Sequence, residues 1–326
     1  MTREEALQQF QTEQQEWMYT KQQEFIETMG EKLPELVMKF KQIFSKGRQK
    51  MEEVKKEPIM FFYFSIPRTD LYSNQYRLIL HMMDVRWYLD KEPIVIEESI
   101  SFLWEDLQEM KEKLWNDSKK YMGKINRYDI EYLVQDMIFT CNCYLSEQLR
   151  LVFRDIEENE DFANIAKTEV WYIRFGEYRD QSEVLAHVDR TRKEQKQWER
   201  KIRKAQAGTK DDSLATSYWY ELEVKESSCT EQFMPFIVFE NCTLDSVDFT
   251  KSNLRGARFL NCTIRHCVFE EADLQYAEFT DCTWEETKFQ GANLSYAIFM
   301  EQELPFVHLE PEQLQDILVE REEMQA

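Results

Sequence analysis

From Phe239 onward, every fifth residue is large and apolar: Phe239, Leu244, Phe249, Leu254, Phe259, Ile264, Phe269, Leu274, Phe279, Trp284, Phe289, Leu294 and Phe299. Two positions before each stands a second series: Ile237, Cys242, Val247, Ser252, Ala257, Cys262, Cys267, Ala272, Ala277, Cys282, Thr287, Ala292 and Ala297. Apart from Ile237, all of these are small. A helix repeats its faces every 3.6 residues and a strand every two, so neither produces a period of five. A fixed period sustained this long marks a repeat architecture. Two inward side chains that share a narrow, close-packed interior must be one large and one small.

Three units carry a more specific signature. Ala272, Asp273 and Leu274, then Ala292, Asn293 and Leu294, follow the form A-(D/N)-L-x-x, and Ser252, Asn253 and Leu254 differ only by Ser for Ala. The stretch resembles the pentapeptide-repeat family. That resemblance implies a right-handed quadrilateral β-helix with about four pentapeptides per turn, the large and small residues pointing in and the other three out. Coils stacked at strand spacing of roughly 4.8 Å would place positions twenty apart above one another. Phe239, Phe259, Phe279 and Phe299 would then form one column, and Phe249, Phe269 and Phe289 the column opposite.

The same arithmetic stacks Cys242, Cys262 and Cys282 inside one wall. Free cysteine behaves as a small hydrophobe, and no His or carboxylate shares that interior, so packing is expected rather than a metal or redox ladder. Trp284 exceeds Leu244 and Ile264 in its column and is expected to turn the wall outward. Leu304 and Leu309 keep the period without small partners. Pro305 and Pro311 then break it, and PEQLQDILVERE reads as a capping helix. A solenoid needs such an end, which otherwise exposes apolar surface and unpaired backbone.

Upstream the periods are ordinary. The first 57 residues read as two amphipathic helices, one through Leu7, Phe10, Trp17, Met18 and Phe25 with Gly30 as its stop. The other runs through Leu36, Val37, Phe40, Ile43 and Phe44 after Pro34. PIMFFYFSI and YRLILHMMDVRWYL read as strands, paired as a hairpin around DLYSN, although the second run also suits a buried helix. Helical stripes follow through Leu103, Leu107, Met110 and Leu114, and through Ile130, Val134, Met137, Ile138, Cys141 and Leu145. VWYIRFGE reads as a strand, Asp180 to Lys204 as a helix, and AQAGTKDDSLATS as a polar linker.

The expected class is therefore α+β multidomain: a mostly α-helical N-terminal domain with a small β element, then the quadrilateral β-helix and a short C-terminal capping helix. The expected boundaries are 1–205 for the α-rich domain, 206–230 for a linker leading into the solenoid, 231–310 for the β-helix and 311–326 for the cap.

The formal charge of −21 disfavours direct contact with nucleic acid or anionic membrane, which need phosphate neutralised by cations. The charged, uninterrupted start and seven cysteines without zinc-ligand spacing lead to an expectation of a cytoplasmic chain with reduced thiols. His81, His187, His266 and His308 are scattered, and no nucleotide-binding, zinc-protease or nucleophile motif occurs. Cys141 and Cys143, two apart on a helix, point to different faces. Arg68, with Glu177, Tyr178, Arg179 and Asp180, could line a pocket but reads better as turns and caps. Arg190 to Lys204 is basic around Trp198, and reads better as a solvated helix, one that could lie against the acidic solenoid, than as a nucleic-acid or acidic-partner site.

No catalytic, cofactor-binding or metal residues are expected. The leading function is non-enzymatic macromolecular interaction or scaffolding with an unidentified protein partner. The alternative is topoisomerase protection by DNA mimicry, which some pentapeptide-repeat proteins perform; a third is an enzyme within the α-rich domain. Residues 231–310 carry fourteen carboxylates against five cations, which favours mimicry. A rod of about 15–20 Å and positive charge at Lys251, Arg255, Arg258 and Arg265 oppose it. The N-terminal domain, holding Trp17, Trp87, Trp104, Trp115, Trp171 and Trp198, is expected to set the choice of partner.

Overall fold

A computed structural model of the protein describes residues 1–73, 75–177, 181–208 and 214–321. The chain forms two compact units, Met1–Ala186 and His187–Ala326.

The first unit is built on one helix, α1 (Arg3–Val54), opened by a capping box between Thr2 and Glu5. The expected break at Gly30 and Pro34 does not occur. An interior proline costs about 3 kcal/mol. Here the buried stripe of Phe25, Met29, Leu36, Phe40 and Phe44 runs through the site and outweighs it. Against this stripe packs a five-stranded sheet of order β3-β2-β1-β4-β5. Its strands are β1 (Ile59–Ser65), β2 (Arg77–Met83), β3 (Ile94–Ser99), β4 (Lys167–Gly176) and β5 (Ser182–Asp189).

Strand β1 is apolar on both sides because both faces of the sheet are covered. Phe62 and Phe64 meet Phe40 and Phe44 from α1, with ring centroids 4.7–6.2 Å apart. Phe61 stacks on Trp87 at 4.3 Å and on Tyr172 at 5.4 Å on the opposite face. The antiparallel pair β1–β2 is joined by a short helix, α2 (Arg68–Ser73), rather than a tight turn. The buried Asp70 fixes that connection, accepting from the backbone N and the guanidinium of Arg77 at 2.9 and 2.7 Å. Strand β3 was not foreseen. Helices α3 (Leu107–Ser118), α4 (Arg127–Val152) and the short α5 (Glu160–Ala163) complete the unit.

The stretch expected to be helical from Asp180 is strand β5 and then α6 (Gln195–Gln206). This helix belongs to the second unit, so the boundary falls near 186 rather than 205. Its apolar face explains the difference. Trp198 is fully buried, 5.1 Å from Trp219 and 5.6 Å from Phe239, and Ile202 is buried beside it. Five residues of the expected linker, 209–213, lie outside the described residues.

Beyond it the chain coils as a square solenoid. One wall is a six-stranded parallel sheet of β6 (Tyr218–Tyr220), β8 (Val238–Glu240), β10 (Arg258–Leu260), β12 (Glu278–Thr280), β14 (Ile298–Met300) and β15 (Leu318–Glu320). The next wall is a four-stranded sheet of β7 (Glu223–Ser228), β9 (Thr243–Asp248), β11 (Thr263–Arg265) and β13 (Thr283–Glu285). Register steps by twenty: Phe239 pairs with Phe259, and Phe259 with Phe279. Single bridges such as Asn253 to Asp273 and Val268 to Lys288 join the coils on the other two walls.

The solenoid starts one coil earlier than the sequence pattern suggested. Trp219, Val224, Cys229 and Met234 continue the large series upstream, all buried. The pattern is masked there because Cys229 is small at a large position, and Leu222 and Gln232 are large at small ones. Six strands stacked at ~4.8 Å give a rod of about 24 Å, longer than expected. Among the described residues of the expected capping helix, Gln313–Asp316 (α7) is helical, and Leu318–Glu320 adds a final strand instead of extending it. The open edge of β14 explains this: Leu318 N donates to Ala297 O at 2.7 Å, and Glu301 N to Glu320 O at 2.8 Å.

Candidate interaction surface

The interior of the solenoid is fully occupied. All thirteen large residues from Phe239 to Phe299 are buried, as are Cys242, Ala257, Cys262, Ala272, Ala277, Cys282, Ala292 and Ala297. Phe239, Phe259, Phe279 and Phe299 stack with centroids 4.7–5.3 Å apart. Phe249, Phe269 and Phe289 stack at 5.0 and 5.1 Å, and the two columns meet edge to face across the interior. The cysteine thiols donate to backbone carbonyls, Cys262 to Phe239 O and Cys282 to Phe259 O at 3.3 and 3.2 Å. Burial pushes the Cys262 thiol well above its ordinary range.

The wall at Trp284 keeps its register, Ile264 pairing with Trp284 as expected for coils twenty residues apart, instead of turning outward. Trp284 is 8% exposed and points into the last coil of its wall, where no further strand stacks on it. Its Nε1 donates to Glu303 Oε2 at 3.1 Å, and the other carboxylate oxygen accepts from Cys282 N at 2.7 Å. Burial raises the Glu303 carboxyl above its ordinary value, a rise opposed by these two donors. Gln313 closes the adjoining walls, its Nε2 donating to Phe289 O and Ala292 O at 2.8 and 2.9 Å. Glu303 and Gln313 thus supply the hydrogen bonds that a further coil would have made.

Every fifth residue turns the corner in the left-handed region, including Phe236, Ser246, Glu271, Tyr276 and Tyr296 at φ near +55 to +60°. The Asp/Asn of the A-(D/N)-L units stabilises the wall before such a corner. Asn253, Asp273 and Asn293 each accept from the backbone N two residues on, at 3.1–3.2 Å. This is the local bond by which Asx residues favour turns.

With the inside committed, chemistry is left to the walls. Three carry charge in vertical pairs, a cation in one coil and a carboxylate twenty residues later: Lys251 with Glu271, Arg258 with Glu278, and Arg265 with Glu285. His266, beside Asp245 at 3.1 Å, is raised above its ordinary pKa by that carboxylate.

The fourth wall, over Leu254, Leu274 and Leu294, is different. Phe233 and Tyr296 are 52% and 54% exposed. Tyr276 stacks on Tyr296 at 5.3 Å, with the Arg255 guanidinium 4.9 Å over the Tyr276 ring. Phe236 lies over Gly256, where a Cβ would meet the ring at 2.5 Å and where φ is +65°. Glycine is required there on both counts. Sequence reasoning missed this stripe because it sits at outward positions, although Phe236, Tyr276 and Tyr296 follow the twenty-residue step.

In the first unit, Arg68 forms an ion pair with Glu177, whose backbone oxygen accepts from the buried Tyr63 hydroxyl at 2.6 Å. Tyr178, Arg179 and Asp180 lie outside the described residues. Trp104 and Trp171 are core. Trp17 and Trp115 are partly exposed, each with a cation over its ring, Lys113 at 3.9 Å and Arg127 at 5.1 Å. Trp198 belongs to the second unit. A groove of about 660 Å³ between α1 and α3 is floored by Trp17, Phe25 and Met110 and rimmed by carboxylates and two lysines. Cys141 is buried and Cys143 exposed. Among the described residues, no three His, Cys, Asp or Glu side chains are grouped to hold a metal, and no helix is long and apolar enough to cross a membrane.

Comparison with known proteins places the solenoid. The family described as the pentapeptide repeat region matches residues 237–309. No curated protein matches the chain. Among solved structures, the plasmid-mediated fluoroquinolone resistance protein QnrB1 is 18% identical over 26% of this chain and 50% of its own, with a TM-score of 0.24. HetL from Nostoc sp. strain PCC 7120, a pentapeptide repeat protein involved in heterocyst differentiation regulation, is 14% identical over 26% of this chain and 48% of its own, with a TM-score of 0.15. Rfr23 from the cyanobacterium Cyanothece 51142 is 22% identical over 23% and 58%, with a TM-score of 0.13. The chain spans about half the length of these structures. The family match covers residues 237–309, within the second unit, and leaves the first unit unassigned.

Proposed function

We propose that this protein is a non-enzymatic interaction or scaffold protein of the cytoplasm, which holds a protein partner along the aromatic wall of its solenoid. The observation that carries the reading is that wall: Phe233, Phe236, Tyr276 and Tyr296 stand exposed or half-exposed on a rigid ladder. Large aromatic side chains on a rigid frame anchor protein interfaces at low entropic cost. The interior supports the same reading, because it is packed with side chains and leaves no room for a ligand. The first unit supplies a second, independent surface, and the choice among partners is assigned to it. The test is photo-crosslinking from position 296 in cells, followed by identification of the adduct. A discrete protein adduct that disappears in the Phe233→Ser, Tyr276→Ser variant is expected. Adducts that are unchanged in that variant would end the reading.

Topoisomerase protection by DNA mimicry is favoured by one observation, the excess of fourteen carboxylates over five cations in residues 231–310. The cations of the vertical pairs work against it, since Lys251, Arg258 and Arg265 set positive charge along walls that would have to imitate an unbroken row of phosphates. A submicromolar complex with purified gyrase, abolished by charge reversal on the solenoid walls, would make this the better reading.

A further inference from the structure

The helix that closes the N-terminal end of the solenoid has two faces, and the cap uses only one. Trp198, Ile202 and Ala205, at helical spacing, pack into the first coil. Trp198 Nε1 donates to Ser227 Oγ at 3.0 Å, and Gln206 Nε2 to Ser228 O at 2.9 Å, which fix the helix in place. On the other side, Lys196, Arg200, Arg203 and Lys204 are all exposed. Positions i, i+4, i+7 and i+8 share one helical face, so these four form a single stripe of one sign.

A helix kept only for capping and solubility gains from mixed charges on its outer face. This one sets like charges at i, i+4 twice, Lys196 with Arg200 and Arg200 with Lys204, which is unfavourable by about 0.2–0.5 kcal/mol each. Lys196 also stands in the first turn, where the helix dipole disfavours a cation. Glu199 lies beside the stripe, 3.9 Å from Arg203. The neighbouring cations are used elsewhere: Arg190 pairs with Glu240, Lys193 with Asp189, and Lys201 lies over Trp219. Residues 190–204 hold eight cations and two carboxylates, so a chain of −21 consists of a +6 patch and a remainder of −27.

We infer that the outer face of α6 is a docking site for a short acidic segment of a partner protein. Charge complementarity selects the sign of the partner, and the size of the patch selects its class. From Lys196 to Lys204 the stripe is about 12 Å long at ~1.5 Å per residue. A duplex or an anionic bilayer large enough to engage it would also meet the acidic remainder of the molecule and be repelled. A peptide segment of two or three carboxylates fits within the stripe and meets no such penalty. This site is separate from the aromatic wall, and neither proposal needs the other.

The test uses the full chain and a fluorescein-labelled peptide of ten residues bearing four glutamates at helical spacing, followed by anisotropy at ~20 mM and ~150 mM salt. The expected result is saturable binding at low salt that weakens at high salt. It should weaken at least tenfold in the variant Lys196→Glu, Arg200→Glu, Arg203→Glu, and also in its charge-neutral counterpart with three glutamines. Circular dichroism and buried-tryptophan fluorescence would show both variants folded. Reversing three solenoid cations, Lys251, Arg265 and Lys288, should change the affinity less than twofold, and Tyr296→Ser should leave it unchanged. Equal loss in the Lys251, Arg265, Lys288 variant, no saturable binding at low salt, or tighter binding to a twenty-base-pair duplex or to phosphatidylserine vesicles would overturn the assignment.

Discussion

Replacing Trp198 by alanine should destabilise the solenoid although Trp198 lies outside the repeat. The indole is fully buried against Trp219 and Phe239 and donates to Ser227 Oγ. A buried tryptophan removes roughly 200 Å² from water, about 5 kcal/mol at ~25 cal/mol per Å². Measured Trp→Ala costs run to about 3–5 kcal/mol. The site is at the end of a stack, where water can enter the space left behind, so a cost of about 3–4 kcal/mol is expected. Trp198→Phe keeps most of the area and loses the hydrogen bond, for about 1–1.5 kcal/mol. The assay is urea denaturation followed by far-ultraviolet circular dichroism, with the two units resolved as separate transitions, since a two-unit chain need not unfold in one step. The later contrast is truncation. A fragment beginning at Ser213 lacks the cap, exposes the first coil and should aggregate, whereas one beginning at Arg190 should stay monomeric. The capping argument fails if Trp198→Ala costs less than about 1 kcal/mol, or if the two fragments behave alike.

Two further outcomes follow from the same packing. At pH 8 an alkylating reagent should label one cysteine quickly, the exposed Cys143, while Cys242, Cys262 and Cys282 react only on unfolding; rapid labelling of all three, or bound zinc by elemental analysis, would show that the ladder is not core. His187 should make the second unit sensitive to mild acid. Burial first of all lowers its pKa from 6.5 to about 4, so the unfolded chain takes up this proton before the folded one. Stability is whole above pH 6.5 and is lost as pH falls toward 4, by up to about 3 kcal/mol. His187→Gln should flatten the thermal midpoint across that window, and an unchanged slope would remove His187 as its cause.

What could be read from the sequence was the part governed by a fixed period. Thirteen positions at a spacing of five determine which side chains face in, because coil geometry leaves each residue one direction. The ends of the same solenoid were illegible for the same reason. Cys229 and Met234 occupy large positions in the first coil without looking large and aromatic, and the cap that completes it comes from a helix that reads, in isolation, as a charged surface element. Trp284 was expected to distort its wall because the pattern assumes a coil above every coil; at the last rung that constraint is absent, and Glu303 turns the excess bulk into a closure. In the first unit, Gly30 and Pro34 are local stop signals, and a continuous buried stripe on α1 overrides them. The aromatic wall escaped notice because outward positions carry no packing constraint, so nothing in the period singles out Phe236, Tyr276 or Tyr296.

The closed ends bear on where a partner can sit. Stacked coils could in principle lengthen by adding a strand from another chain to an open edge. At the N-terminal end that route is blocked by the Trp198 indole and by the side-chain bonds of Gln195 and Gln206 to the first coil. At the other end, Glu303 and Gln313 already occupy the donors and acceptors of two walls, and the last strand is only three residues long, with Glu320 inside it and Arg321 directly after it. A short edge ringed by charge resists pairing. Strand addition along the axis is therefore disfavoured at both ends, and a partner must dock on side chains. The surface they form is not uniform: three walls carry carboxylates in excess of the cations paired with them, one presents aromatic rings, and the outer face of α6 presents four cations. A partner that engages this unit meets either rings or charges, and these two chemistries respond oppositely to salt. The salt dependence of a captured complex thus tells whether the aromatic wall or a charged surface holds it, before any residue is changed.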